Sequence, residues 1–172
     1  KYYSDRIESD GLFEIQQDEN YIIFIDNLCN VKGNGKRAAE QLIISRAYKL
    51  APKMAELMND PEKASLYKST AEDMMKKIEE IFWDENAGCY MDASDWDSST
   101  RTQITNALFL LYTDPSPARN LSAQMSILDR TITPPMRAGY MNFYVTEGLA
   151  RQGKYTEVLD RIREYWGGMI DR

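Results

Sequence analysis

The spacing of hydrophobic residues changes near residue 36. Residues 1–35 carry Tyr, Phe, Leu and Ile without a helical period, interrupted at Asp10-Gly11, Asp18-Glu19-Asn20 and Gly33-Asn34-Gly35, residue types that favour turns. This stretch reads as an irregular or extended lead-in, with Leu12–Gln16 and Tyr21–Ile25 as two short strand candidates. From residue 36 to residue 172 the apolar positions recur every three or four residues, which collects them on one face of an α-helix.

Six such stripes follow. Between Arg37 and Met58 the stripe is Ala39, Ile43, Ala47, Leu50, Met54 and Leu57, with Pro52 inside it. Proline removes an amide donor and crowds the preceding turn, so of a kink and a split at Ala51 the kink is expected there. Asn59-Asp60-Pro61-Glu62 then gives an N-cap acid, a proline at the first helical position and an acid in the first turn. The second stripe is Tyr67, Ala71, Met74, Ile78 and Phe82, closed by a turn at Gly88 and a short strand at Cys89–Met91. A polar loop, Asp92–Ser99, precedes a third helix marked by Ile104, Ala107, Leu108 and Leu111. A fourth starts near Ala118, shows Leu121, Met125 and Leu128, and stops before Thr133-Pro134-Pro135. Met141, Tyr144, Val145, Gly148 and Leu149 mark the fifth, with Gly153 at its C′ position, and Val158, Leu159, Ile162 and Trp166 mark the sixth.

Short loops within each pair predict three antiparallel helical hairpins, and hence an all-α domain over residues 1–172. Solenoids, bundles and toroids all use such hairpins, and no repeat of fixed period selects among them.

With 43% hydrophobic and 28% charged residues, 172 residues suffice for one globular domain. Lys and Arg number 21 against 27 Asp and Glu, a net charge of -6 that disfavours a nucleic-acid partner. No apolar run approaches the roughly 20 residues of a membrane-spanning helix. The sequence contains no histidine, which excludes Ser-His-Asp and Cys-His nucleophiles and imidazole metal sites, leaving carboxylates, Tyr and Lys to carry any chemistry. Cys29 and Cys89 are expected to be buried thiols. The chain opens at Lys1 without a basic-then-apolar leader pattern, so a piece of a longer protein is expected and its compartment stays open.

Several local patterns invite chemistry. Gly33-Asn34-Gly35-Lys36 suggests a phosphate loop, but Asn30 and Arg37 stand where that motif needs Gly and Ser or Thr. Asp92, Asp95 and Asp97 suggest a calcium loop, but Thr100 and Asn106 occupy the positions of its Gly and Glu. A solvated turn is the expectation for both, the second with Asx caps for the third helix, and no metal or cofactor is expected. Trp96, inside the second loop, offers an indole face on which a sugar or a partner can stack. Asp26 follows the apolar run Tyr21–Ile25, where desolvation raises a carboxyl pKa and suits an active site, although a lone Asp after such a run is more often a turn cap. Glu147 and Glu157 lie on helices and are ambiguous in the same way.

Val158–Arg172, VLDRIREYWGGMIDR, resembles the segment that precedes the catalytic-base motif of bacterial α-L-rhamnosidases, with Trp166-Gly167-Gly168-Met169 its most specific piece. Phe24-Ile25-Asp26-Asn27 resembles the family's Phe-x-Asp-Trp, with Asn in place of Trp. The helix Ala39–Asn59, the turn Phe82-Trp83-Asp84 with Gly88-Cys89-Tyr90, the start Gln103 with Asn106-Ala107-Leu108, and the end Leu149-Ala150-Arg151-Gln152-Gly153 also resemble family patterns, in order, from Tyr21 to Arg172.

The resemblance implies that these hairpins are about half of an (α/α)6 toroid that hydrolyses terminal α-L-rhamnosyl bonds with inversion. Inversion needs a general acid and a general base with carboxyls roughly 6.5–9.5 Å apart. The family's acid motif and its Gly-Ala-Thr-Thr-x-Trp-Glu base motif have no counterpart here. No catalytic residue is therefore assigned, and the chain alone is expected not to turn over. Asp26 is expected to orient sugar hydroxyls, and Trp96 or Tyr140 to stack on the sugar. The rival readings are a non-catalytic helical-hairpin module that binds a protein, and a six-hairpin glycosidase acting on another sugar.

Overall fold

The computed structural model describes residues 4–14, 25 and 27–170. Its helices are α1 (Ala38–Leu57), α2 (Pro61–Phe82), α3 (Gln103–Tyr112), α4 (Pro117–Leu128), α5 (Asn142–Arg151) and α6 (Tyr155–Trp166). A hairpin of two short strands, β1 (Trp83–Asp84) and β2 (Cys89–Tyr90), separates the first helix pair from the second. The fold is all-α, built from helical hairpins. No described helix is long and apolar enough to cross a membrane.

The described residues fall into two compact units. The first holds residues 4–14, 32–83 and 91–100; the second holds 25, 27–31, 84–90 and 101–170.

In the first unit α1 packs on α2. The start of α2 is the one its sequence dictates: Asp60 accepts from the Lys63 amide at 3.1 Å, and Pro61 supplies the first helical residue without wasting a donor. Its expected stripe is the buried one, with Ala71, Met74, Ile78 and Phe82 inside. On α1 the structure corrects the sequence. Pro52 does not split the helix, which runs unbroken from Ala38 to Leu57. Ala39 of the expected stripe is buried, but Ala47, Leu50, Met54 and Leu57 are exposed, and the other buried residues are Ala38, Glu40, Gln41, Leu42, Ser45, Tyr48 and Ala55. The reason lies in the lead-in. Gln41 accepts from the Phe13 amide at 2.8 Å and donates to the Phe13 carbonyl at 2.9 Å, acting as a strand would. Phe13 then packs with Tyr48, Ala71 and Met74, which turns a partly polar face of α1 inward. Phe13 also pairs with Ile7 in a single antiparallel bridge. Most of the two strand candidates lies outside the described residues.

In the second unit α3 packs against α4 and α5, and α5 against α6. Gln103–Leu111 is buried on every side, so α3 is the core of this unit. The α5 stripe is buried at Met141, Val145, Gly148 and Leu149, and Gly148 lets α5 approach closely: a Cβ there would sit 3.3 Å from the Ala107 carbonyl oxygen. The α4 and α6 stripes are corrected. Leu121, Met125, Leu159 and Ile162 are exposed, while Ala123, Gln124, Ser126 and Ile127 of α4 and Arg161 of α6 are buried. Small and hydrogen-bonding residues face the core of this unit because it offers them partners, such as the Gln103 and Asn142 amides for Arg161. Cys29 and Cys89 are both buried thiols.

Candidate functional site

In the first unit, residues 32–37 and 92–100 are laced together by paired hydrogen bonds. Lys32 N donates to Thr100 Oγ1 at 2.8 Å, Asn34 N to Ser98 Oγ at 2.9 Å, and Lys36 N to Ser94 Oγ at 2.9 Å. Ser94 N returns a bond to the Lys36 carbonyl at 2.9 Å, and Arg37 bridges to Ala93. The glycine turn thus serves as a seat for the polar loop. Its Lys36 is committed to Asp10 at 2.6 Å and to Glu8 at 2.5 Å. Burial works to raise the Asp10 carboxyl, and the bonds from Lys36 and from the Leu12 amide more than offset it, holding Asp10 below its usual value.

The acids of that loop are spent in the same way. Asp92 is buried and accepts from Thr100 Oγ1 at 2.6 Å. Asp95 accepts from Ser98 Oγ at 2.8 Å and from Asn34 Nδ2 at 3.3 Å, and the Ser98 bond leads in holding its carboxyl below the usual value. No cluster of three or more metal-ligating side chains occurs among the described residues. Trp96 stands at the tip, 42% exposed, with its Nε1 donating to the Ile81 carbonyl at 2.9 Å. That bond fixes the indole while leaving part of it open to solvent.

One residue of this unit was not singled out by the sequence. Glu40, in the first turn of α1, is 6% exposed, and neither carboxyl oxygen has a hydrogen-bond partner. Burial pushes its carboxyl up to about 7, against a smaller opposing pull from Arg37. The Arg37 Nε is buried and unpartnered as well. Glu40 lies three residues before Ile43 and seven before Ala47, along the stripe expected to be apolar, and an acid in a first helical turn reads as a surface partner of the helix N-terminus, so its burial was not visible in the sequence.

The second unit holds Tyr140, 64% exposed, just before α5. Its ring meets Tyr144 edge-on, with centroids 6.1 Å apart. Burial first, then the bond with Tyr140, pushes the Tyr144 phenol up to about 12. The start of α5 is held by Arg161, whose Nε donates to Asn142 Oδ1 at 2.7 Å and whose other nitrogen donates to Gln103 Oε1 at 2.5 Å. Burial lowers the Arg161 pKa.

Asp84, the last residue of the Phe82-Trp83-Asp84 pattern, is fixed within this unit. Asp84 Oδ1 accepts from the Asn86 and Ala87 amides at 2.9 and 3.1 Å, and Oδ2 accepts from Arg101 at 2.9 Å. Gly88, at φ +63°, lies where a Cβ would collide with Ser122 Oγ. Glu147 pairs with Arg151 at 2.8 Å on the surface of α5. Asp26 lies outside the described residues, Trp96 belongs to the first unit and Tyr140 to the second.

A family model described as trehalase matches residues 39–157. No curated protein matches the sequence. Two solved structures share the fold. A rhamnosidase from Klebsiella oxytoca with rhamnose bound aligns with a TM-score of 0.77 and 21% identity over 97% of the chain. A GH78 family rhamnosidase of Bacillus sp. GL1 aligns with a TM-score of 0.74 and 21% identity over 99%. The chain spans 31% and 18% of the lengths of those two proteins.

Proposed function

The chain belongs to the trehalase family, and from that premise we propose that it forms part of an (α/α)6 catalytic domain of a glycoside hydrolase that removes terminal α-L-rhamnosyl groups with inversion. The observation that carries the reading is the pairing of that family match with the fold shared, along almost the whole chain, with two rhamnosidases, one of them holding rhamnose. The ordered motifs from Phe24 to Met169 support the same sugar.

In this reading the chain supplies substrate-contacting wall. An inverting hydrolase needs one carboxyl to protonate the leaving oxygen and another to activate water on the opposite face. Neither family motif has a counterpart here, so the residues assigned to the chain bind rather than react. Asp26 accepts sugar hydroxyl hydrogens, and Trp96 or Tyr140 offers an exposed aromatic face for the apolar side of a sugar ring. The exposed indole of Trp96, fixed at its nitrogen, suits that use because little side-chain entropy remains to be lost.

The family description favours one second reading, a hydrolase of the same fold that cleaves trehalose. Assay of the full-length protein on p-nitrophenyl α-L-rhamnoside, the matching glucosides and trehalose separates the two. Selective release from the rhamnoside supports the first, and turnover of trehalose with none of the rhamnoside replaces it with the second.

A further inference from the structure

Around the start of α1 nearly every polar side chain is committed. Lys36 is bound by Glu8 and Asp10, Gln41 by Phe13, Ser45 by the Leu42 carbonyl, and Asp92 by Thr100. Glu40 and Arg37 differ. Both Glu40 carboxyl oxygens and the Arg37 Nε are buried and take no hydrogen bond. Buried polar atoms are almost always satisfied, because leaving one unpaired costs more than a hydrogen bond returns. Two such residues one turn apart on a single helix therefore have a use that packing does not explain.

Their position indicates the ligand class. Arg37 bridges to Ala93, and the Ala38 amide donates to the Asp92 carbonyl at 2.9 Å, so the loop that carries Trp96 is fastened to this same turn. The pair sums to zero charge when both are ionised, which suits a neutral ligand better than an anion or a cation. A carboxylate accepts two adjacent hydroxyls at once, and an Nε–H donates to a third oxygen.

Resting on the glycoside hydrolase reading above, the geometry points to Glu40 and Arg37 as a sugar-binding pair, in which Glu40 accepts two hydroxyl hydrogens and Arg37 Nε donates to a sugar oxygen. The Glu40 oxygens and the Arg37 Nε are all covered in the free chain, so the ligand meets them after both side chains change rotamer. Accepting two hydroxyls favours the ionised carboxylate, whereas burial favours the acid and Arg37 is the charge opposing it. Binding near neutral pH is therefore coupled to release of a proton.

The test is calorimetric titration of the full-length protein with L-rhamnose at pH 7, in two buffers of different ionisation enthalpy. Wild type is expected to show a buffer-dependent heat. Glu40→Gln is expected to bind roughly ten- to hundredfold more weakly and to lose that buffer dependence. Equal affinity and equal buffer dependence in the variant overturn the pair while leaving the glycosidase reading intact. Absence of rhamnose binding by the wild type overturns both. Thermal melts check the fold, and if Glu40→Gln does not fold, Glu40→Asp replaces it: weaker binding with the buffer dependence retained supports the pair, and unchanged affinity overturns it.

Discussion

Asn106 holds both backbone polar groups of Tyr90, accepting from its amide at 3.0 Å and donating to its carbonyl at 3.3 Å. Its Nδ2 also donates to the Thr102 carbonyl at 3.0 Å. One side chain thus joins the first turn of α3 to β2, while the Tyr90 ring stacks on Phe109 of α3 with centroids 3.3 Å apart. Asn106→Ala leaves the buried amide and carbonyl of Tyr90 without these bonds. A loss of about 2–3 kcal/mol is expected in urea denaturation, larger than that of an exposed substitution such as Lys53→Ala.

Arg161 is a buried cation that donates to Asn142 and Gln103 and lies 5.1 Å from the centre of the Tyr165 ring. Removing it strands two amide oxygens in the interior. Arg161→Met is expected to lower stability by about 2–4 kcal/mol. Adding Gln103→Leu to that variant removes one stranded oxygen, so the double variant is expected to lose less than the sum of the two single losses, as measured by thermal unfolding.

Glu40 gives stability a pH dependence of defined sign. The folded chain keeps the Glu40 proton up to about 7, while the unfolded chain releases it near the ordinary 4.5. Its contribution is therefore full below about pH 4.5, falls as pH rises toward 7, and is flat above that, for a total of about 3 kcal/mol. Asp10 and Asp84, held below their usual values, contribute in the opposite sense at more acidic pH. Denaturation of wild type and Glu40→Gln at pH 5 and pH 8 isolates the effect: the variant gains on the wild type as pH rises. Parallel pH profiles would remove Glu40 from the account.

The site residues make a kinetic prediction. In the full-length protein Asp26→Ala is expected to cut kcat/KM for an α-L-rhamnoside by about a hundredfold or more with an unchanged melting temperature. Trp96→Phe keeps an aromatic face but loses the bond to Ile81, and is expected to raise KM by a few-fold. Trp96→Ala is expected to raise it further. Near-wild-type kinetics in Asp26→Ala would discard that residue.

What was legible in the sequence depended on whether the signal was local. The Asp60-Pro61 helix start is a cap made within one turn, and the structure forms it; the Ser116 cap of α4 was not read from the sequence. The stripes of α2, α3 and α5 face their cores because no polar partner competes for that face. On α1, α4 and α6 two faces had similar apolar content, and distant contacts decided between them: Phe13 for Gln41, and Gln103 with Asn142 for Arg161. Trp96 was visible as an exposed loop indole, but its anchor on the Ile81 carbonyl was not, being a contact across 15 positions. Glu40 was hidden because an acid in a first helical turn reads as a surface partner of the helix N-terminus.

The central claim is rhamnosyl hydrolysis with inversion, and proton NMR of early turnover tests it most directly. The full-length protein is mixed with p-nitrophenyl α-L-rhamnopyranoside and the anomer released first is recorded. The account predicts β-L-rhamnose first, followed by slow mutarotation. Release of the α-anomer first would contradict inversion, and absence of release alongside turnover of trehalose would contradict the substrate.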